Sequence, residues 1–502
     1  MSNTKSNELT VDESIAKCGG FSWSQLAAFF NGYTSIIFLS WQLYITKFAS
    51  VSATFYCAND STLPNNTCYE NCSHYIYPNI GESLLTELNL VCSEKWVVKF
   101  SFDISYAVGL FFGCVCLGIP IDRIGRRKPA LLFSVILAFT SLPVPFLSNI
   151  YVLVAFRFLN GFFISGLQLA CLLKVGEMVV GKSLALVIML YCTAFPTGEL
   201  LAVGTGYLFQ DHWRYQFLVV CILPPLLACS VYFFGFESFR WLAAMKRFSE
   251  AERVLQSMAK FNRHQDSIVD HKLRVRESNI YSFRDILFPP KILAFSLSVV
   301  MLSLSTSMVY LTLEASAAGL TKSIFINGII MSVVQYPPFL AHNLYNRRGR
   351  KYPIAVLLVL SAISGLASVI FAKSVKKYKI LALILSLLTK GFVTTPYNAL
   401  LFYILELYPT SIRGLPTGIS LAVRGIGLCI ALVIVDRPEE VSFVTLYSIF
   451  TGMLVFSSVL MVICLPETNR KNLPETYEDV FRKPPSKNKL KKRLLLIDGE
   501  IN

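Results

Sequence analysis

Two cations interrupt stretches that are otherwise apolar: Lys390 in the run 380–403 and Arg424 in the run 415–435. An ionisable group in the middle of a bilayer is expensive unless it is paired or hydrated, so each is a candidate site residue by default. In the topology developed below, Lys390 lies about ten residues into its run going inward and Arg424 about nine residues into its run going outward, which at roughly 1.5 Å per residue brings them to similar depth. Neither run contains an acid to neutralise them. Two such cations at one depth make a water-filled chamber positive, and a guanidinium can grip a carboxylate or sulfate through two parallel hydrogen bonds. The competing reading is structural, with Lys390 or Arg424 paired to a distant acid such as Glu199 or Glu314 to hold helices together.

A second set of charged residues occupies turns. Gly118-Ile-Pro-Ile-Asp122-Arg123-Ile-Gly125-Arg126-Arg127-Lys128 is a short cationic segment between two apolar runs, and cations so placed hold their loop on the cytoplasmic side. Asp122 among arginines is suited to a salt bridge that breaks and reforms. The segment recurs 224 residues on as Asn346-Arg347-Arg348-Gly349-Arg350-Lys351. Glu177 before Lys182 is echoed 229 residues on by Glu406 before Arg413, and Glu237-Ser-Phe-Arg240 is echoed 230 residues on by Glu467-Thr-Asn-Arg470. Three matched pairs at nearly one period predict two homologous halves, as in transporters built from parallel repeats.

These residues need a scaffold, and composition supplies it. The 502-residue chain is 54% hydrophobic and only 15% charged, far more apolar than a soluble protein. Runs long enough to cross a bilayer fall near 25–47, 97–118, 129–147, 151–173, 184–207, 215–235, 292–313, 323–344, 353–372, 380–403, 415–435 and 443–465. The reading is an all-α membrane protein of twelve transmembrane helices: a cytoplasmic N-terminus 1–24, a six-helix half 25–235, a cytoplasmic linker 236–291, a second half 292–465 and a basic cytoplasmic tail 466–502. Within the linker, 249–261 has the cap and periodicity of a short amphipathic helix lying along the inner face. The basic loop 373–379 falls outside and is an exception to the charge rule. No cleaved signal peptide is expected, since 1–18 is polar. The formal charge of +15 is spread along membrane borders rather than on a nucleic-acid-binding motif, so no nucleic acid partner is expected.

The extracellular loop 48–96 carries Cys57, Cys68, Cys72 and Cys92, which predict two disulfides with three pairings open. The same loop has glycosylation sequons at Asn59, Asn65 and Asn71. No cysteine pair has metal-ligand spacing, and there is no nucleotide-binding glycine loop or catalytic triad pattern, so neither metal, cofactor nor enzymatic activity is expected.

The combination resembles the major facilitator superfamily and, within it, the solute carrier family 22 organic ion transporters. The superfamily likeness rests on the Asp122 segment and its second copy. The narrower one rests on Thr86-Glu87-Leu-Asn-Leu-Val91-Cys92, Asp211-His-Trp-Arg214, Glu237-Ser-Phe-Arg240-Trp241-Leu242, Ser282-Phe-Arg-Asp285, Glu406-Leu-Tyr-Pro-Thr410 and the two Leu-Pro-Glu-Thr copies at 465 and 473. Asn346 stands where the motif has Asp, Phe236 replaces a Pro, and the arginine after Glu177 is missing, which implies an inner gate built differently. The resemblance implies that Asp122, Arg123, Arg126, Glu177, Glu237, Arg240, Arg347, Glu406, Arg413, Glu467 and Arg470 form gate salt bridges. It also implies that helices one, four, seven and ten line a central cavity, where Asn31, Tyr310, Tyr397 and Glu314 join Lys390 and Arg424 as substrate contacts. Arg157 is left open between helix packing and proton coupling.

The expected function is secondary transport of amphipathic organic ions, anions in the first instance because Lys390 and Arg424 look like the anion-carrying branch, at the plasma membrane and by alternating access. Partners are a small organic ion, the bilayer, and a counter-ion or exchanged carboxylate. The alternatives are an organic cation or carnitine carrier, then a sugar porter or a non-transporting receptor or scaffold.

Overall fold

Hydrocarbon offers no water to backbone N–H and C=O groups, so an apolar run of spanning length must close its hydrogen bonds on itself as a helix. The computed structural model describes residues 8–50, 55–58, 72, 75–78, 83–88, 95–180, 182–264, 272–273, 290–315, 321, 323–337, 347–373, 379–436, 443–468 and 473–474. β1 (Glu8–Leu9) and α1 (Val11–Lys17) precede the first apolar helix, α2 (Trp23–Ala49). Short elements follow, β2 (Tyr56–Cys57), β3 (Tyr75–Ile76) and α3 (Leu84–Glu87), and then α4 (Lys95–Ile124), α5 (Arg127–Ser141), α6 (Ile150–Met178), α7 (Lys182–Cys192), α8 (Ala194–Leu208), α9 (Trp213–Val220) and α10 (Leu223–Phe234). Between the halves lie α11 (Phe239–Ala244), α12 (Phe248–Phe261) and β4 (Lys272–Leu273). The second half comprises α13 (Pro290–Ala315), α14 (Ile324–Val333), α15 (Lys351–Lys373), α16 (Lys379–Leu407), α17 (Gly414–Asp436) and α18 (Phe443–Cys464).

Among the described residues, nine helical segments are long and apolar enough to cross a membrane. The three remaining apolar runs are also helical where described. The run at 25–47 is α2, 27 residues long, and the described part of the run at 323–344 is largely α14. The run at 184–207 is broken between α7 and α8. Pro196 explains that break, because it has no N–H to offer the carbonyl of Cys192. Pro224 and Pro225 act likewise between α9 and α10.

The apolar core is continuous across both halves, with α4 packed along α6 on one side and α17 on the other. At the end that carries the basic turns, the chain tightens at Gly125 and Gly349, whose φ values of 116° and 89° favour glycine. Here α12 buries Ala251, Leu255, Met258 and Ala259. That face is covered by protein rather than lipid: Val11, Ile15 and Cys18 of the N-terminal segment pack with Phe239, Trp241, Leu242 and Leu255. The side-chain amide of Asn262 donates to Cys18 O at 2.8 Å and to Ser24 Oγ at 3.0 Å, fixing the entry to α2.

At the opposite end Cys57 is disulfide-bonded to Cys72, and β2 pairs antiparallel with β3 beside it. Cys68, Cys92, Asn59, Asn65 and Asn71 lie outside the described residues, as do 374–378 and the tail beyond 474.

Candidate functional site

Lys390 on α16 and Arg424 on α17 are both buried. They cap the two ends of an aromatic stack. Lys390 Nζ lies 5.2 Å from the Tyr310 ring centroid, Tyr310 and Tyr397 stack at 4.6 Å with their planes 4° apart, and Arg424 Cζ lies 4.1 Å from the Tyr397 ring. The electron-rich ring faces attract each cation, and the two rings between them keep the like charges apart. Arg424 also donates to the carbonyl of Tyr397, its Nε has no hydrogen-bond partner, and among the described residues no carboxylate pairs with it.

A polar chain runs from this stack to the other half of the molecule. Tyr310 donates its hydroxyl to Gln335, and Gln335 Nε2 donates to Glu199 Oε2 at 2.6 Å, tying the second half to α8. The other oxygen of Glu199 is buried without a hydrogen-bond partner. Nearby, Tyr336 and Thr197 join hydroxyls at 3.0 Å, and Thr197 meets Tyr33 of α2 at 3.2 Å.

In front of Tyr397 and Arg424 is a cavity with about 70 Å³ of water-accessible space, whose polar lining includes Gln168, Tyr191, Asn398 and Arg424 and whose walls include Leu39, Cys114, Cys192 and Phe195. Lys390 and Tyr310 stand behind Tyr397 rather than on the cavity wall. Asn31 is buried on α2 and is not among the lining residues of that cavity, and neither of its side-chain polar atoms has a hydrogen-bond partner among the described residues. Glu314 belongs to α13, but its side chain is outside the described residues. Arg157 donates to Gln42 Oε1 at 2.7 Å and to Gln42 O at 3.0 Å, with Phe102 and Tyr106 against its guanidinium at 4.8 and 4.5 Å. That geometry fastens α6 to α2 and α4.

The charged turns form two clusters at the basic end. In the first, Arg126 donates to both oxygens of Glu177 at 3.2 and 3.0 Å and pairs with Asp122 at 3.2 Å. The cluster crosses between halves: Gly414 N donates to both Asp122 oxygens at 3.0 and 2.9 Å, Arg126 donates to Thr410 O at 3.2 Å, and Arg413 pairs with Glu177 at 3.5 Å. Glu237 does not pair with the Arg240 of its own motif. It accepts the backbone N–H groups of Arg126 and Arg127 at 2.7 and 3.2 Å, while Arg240 pairs with Asp12.

In the second cluster Arg350 pairs with Glu406, and Glu467 accepts the backbone N–H groups of Arg350 and Lys351 at 3.0 and 3.1 Å. Arg123 and Arg347 are exposed, and neither makes an ion pair among the described residues. Arg470 is outside them. Sequence reasoning passed over Arg350, although the 224-residue register maps Arg126 onto it; the signal was present in the repeat. Gln335 and Gln168 were visible only as polar residues in apolar runs, and nothing local in the sequence pointed Asp12 at Arg240.

Helices that cross a bilayer, two repeated halves linked by a charge cluster at one end, and a cavity lined from both halves are the features of a membrane transporter. A family model described as "Sugar (and other) transporter" matches residues 35–480. The chain is similar to solute carrier family 22 member 2 of Homo sapiens, 30% identical over 442 residues that cover 86% of this chain and 77% of that one. It is also similar to solute carrier family 22 member 6 of Rattus norvegicus, 27% identical over 419 residues, 81% and 75% of the two chains. Among solved structures, a proton:xylose symporter of the major facilitator superfamily bound to 6-bromo-6-deoxy-D-glucose superposes with a TM-score of 0.67 at 16% identity, covering 91% of this chain and 99% of that one. A partially occluded inward open conformation of the xylose transporter from E. coli gives 0.61 at 17% identity, covering 89% and 99%. At such identity these structures establish the fold alone: the chain is an all-α membrane protein with the major facilitator fold. It belongs to solute carrier family 22, the organic ion transporters within the sugar (and other) transporter family, and is a multi-pass membrane transporter rather than an enzyme.

Proposed function

We propose that this transporter carries amphipathic organic anions across the plasma membrane by alternating access, with both termini and the basic end in the cytoplasm. The observation that carries the reading is Arg424. Its guanidinium borders the cavity, is cushioned on Tyr397, keeps one N–H without a partner and has no carboxylate paired to it among the described residues. A buried donor left over in this way is costly, and a substrate carboxylate or sulfate would satisfy it with a charge-assisted bond. Lys390 would then act from behind the tyrosine stack as a source of positive potential, and Tyr397, Asn398 and Gln168 would contact the organic body.

The chamber has about 70 Å³ of free space, against the roughly 300–1,000 Å³ of a typical organic ligand site. Substrate entry therefore requires the halves to part at one end, as alternating access demands. The test is uptake of a radiolabelled anion panel beside a cation panel in transfected cells, with wild type and Arg424→Asp. Loss of anion uptake by at least about thirtyfold, the scale of removing one partner of a buried charge pair, is expected. Unchanged anion kinetics in Arg424→Asp would remove this residue from the site.

One observation favours a second reading, an organic cation or carnitine carrier. Glu199 keeps a buried oxygen without a hydrogen-bond partner near the same aromatic stack, and it could receive a positively charged group. Competition of uptake by cationic rather than anionic dyes would select that reading.

A further inference from the structure

A second cavity lies at the end opposite the basic turns. It is an open cleft with about 480 Å³ of water-accessible space, inside the roughly 300–1,000 Å³ of a typical organic ligand site. Its polar lining is Glu87, His212 and Arg214, and its rings and aliphatic surface come from Pro145, Phe146, Tyr215 and Leu218. None of these residues lines the chamber between the halves.

The cleft is built before any ligand arrives. Arg214 Nε donates to both Glu87 oxygens at 3.1 Å, and its terminal nitrogens donate to Glu87, to Pro145 O and, at 3.1 Å, to Ser148 Oγ. Trp213 Nε1 donates to Glu87 Oε2 at 2.7 Å. These bonds fasten α3, the turn 143–148 and the start of α9 to one another, and the Arg214 charge is answered by Glu87 inside the site. The groups left open are the His212 imidazole and the Tyr215 hydroxyl, neither of which makes a hydrogen bond among the described residues.

The surroundings put the cleft at the edge of the lipid. Tyr151, Tyr207 and Tyr215 are all exposed at this end, as tyrosines at a bilayer–water boundary are. Leu218 and Ile222 carry an exposed apolar stripe away from the cleft into the spanning segment 213–234. A lipid phosphate would need an unspent cation, and Arg214 is already held by Glu87, Pro145 and Ser148. A flat fused-ring body, in contrast, gains many dispersion contacts against rigid ring faces, and a single hydroxyl matches the two open polar groups.

We propose that this cleft is a sterol site: a membrane sterol sets its hydroxyl at His212 and Tyr215 and lays its ring system against Pro145, Phe146 and Leu218. The site belongs to the N-terminal half and is independent of what the transporter carries.

The test uses the purified full-length protein in phosphatidylcholine nanodiscs with a photoactivatable cholesterol analogue that bears a diazirine on its rings. Mass spectrometry should find the adducts in peptides 143–151 and 211–222, competed by cholesterol and not by its epimer with the inverted hydroxyl. Leu218→Trp fills the cleft from an exposed position, and its thermal midpoint in sterol-free nanodiscs checks folding. Labelling of both peptides should then fall about fivefold or more, the scale of overfilling a packed site. His212→Ala, also at an exposed position, should weaken competition by cholesterol about twofold to tenfold, the range of one hydrogen bond. Adducts spread evenly over the exposed helices would refute the proposal, since the analogue would then report ordinary lipid contact. Equal competition by the epimer, or displacement by an anionic phospholipid in place of cholesterol, would refute it as well.

Discussion

The two clusters at the basic end start from the same repeated motif and end differently. In both, glycine turns the chain, the arginine after it pairs with a helix-borne glutamate, and a second glutamate accepts the next backbone N–H groups. The second cluster closes on itself through Arg350 and Glu406. The first reaches across to the other half through Asp122, Arg126 and Glu177. Among the described residues, one copy of the motif thus makes its ion pair within its own half, and the other also makes contacts that join the two halves. The departures in sequence match: Asp122 has Asn346 as its counterpart, and Arg413 takes the role left vacant after Glu177.

The comparison is most exposed to failure at the two glutamates. Glu177→Gln removes the negative charge that two buried guanidiniums share, leaving Asp122 beside Arg126, and breaking a buried pair costs about 3–5 kcal/mol. We expect a large fall in the thermal midpoint in detergent and near-complete loss of uptake. Glu406→Gln should cost less, about 1–3 kcal/mol, because Arg350 and Glu406 retain some access to solvent at 14% and 10% side-chain exposure. Equal losses in the two variants would mean that the halves are not specialised as described.

Asp122→Asn sharpens the contrast. An amide can accept from Gly414 N through only one oxygen and no longer attracts Arg126, so the latch weakens without disturbing the chamber. Maximal transport rate should fall about tenfold, equivalent to about 1.4 kcal/mol, with little change in apparent substrate affinity. A normal maximal rate would count against the latch.

An effect of similar size is expected at the chamber. Tyr397→Phe retains the ring under Arg424 and the carbonyl that orients it, so uptake should stay near wild type. Tyr397→Ala removes the ring and should weaken transport by about fivefold to thirtyfold, the range of a desolvated cation–π contact together with lost packing. If Phe and Ala behave alike, the stack does not position Arg424.

The smallest expected effect lies at the opposite end. Burial disfavours the charged form of Glu87, but hydrogen bonds from Arg214 and Trp213, with the Arg214 charge, outweigh it and hold the carboxyl below its ordinary range. A lowered folded-state value means that the stabilisation is fully present above the ordinary carboxylate range and is lost as pH falls through the lowered value. Melting temperature measured downward from pH 6 should drop more in wild type than in Glu87→Gln. Parallel curves would show that the contact with Arg214 contributes nothing.

Much of the architecture was legible because membrane insertion is set by local composition: an apolar run of bilayer length has no alternative to a helix. The two halves were legible because repeats leave a register, which also relates exposed Arg123 to exposed Arg347. Residue partners were harder. Lys390 and Arg424 stood out as isolated charges, but their separation by Tyr310 and Tyr397 depends on how α13, α16 and α17 pack, and side-chain direction across three helices is not encoded in any one of them. Asn31, chosen by position in the superfamily pattern, is buried but is not among the cavity-lining residues for the same reason.

The sequence by itself determined the membrane class, the apolar helical runs, the doubled motif and which charges are too costly to be incidental, because each follows from free energies of transfer that act residue by residue. Only the tertiary structure decided that Cys57 meets Cys72, that Asp12 pairs with Arg240 from more than two hundred residues away, and that among the described residues one charge cluster spans the halves while its copy joins Arg350 to Glu406 within its own half. Those outcomes depend on distances and directions between segments remote in the chain, where interactions within a few ångströms decide and local composition has no say.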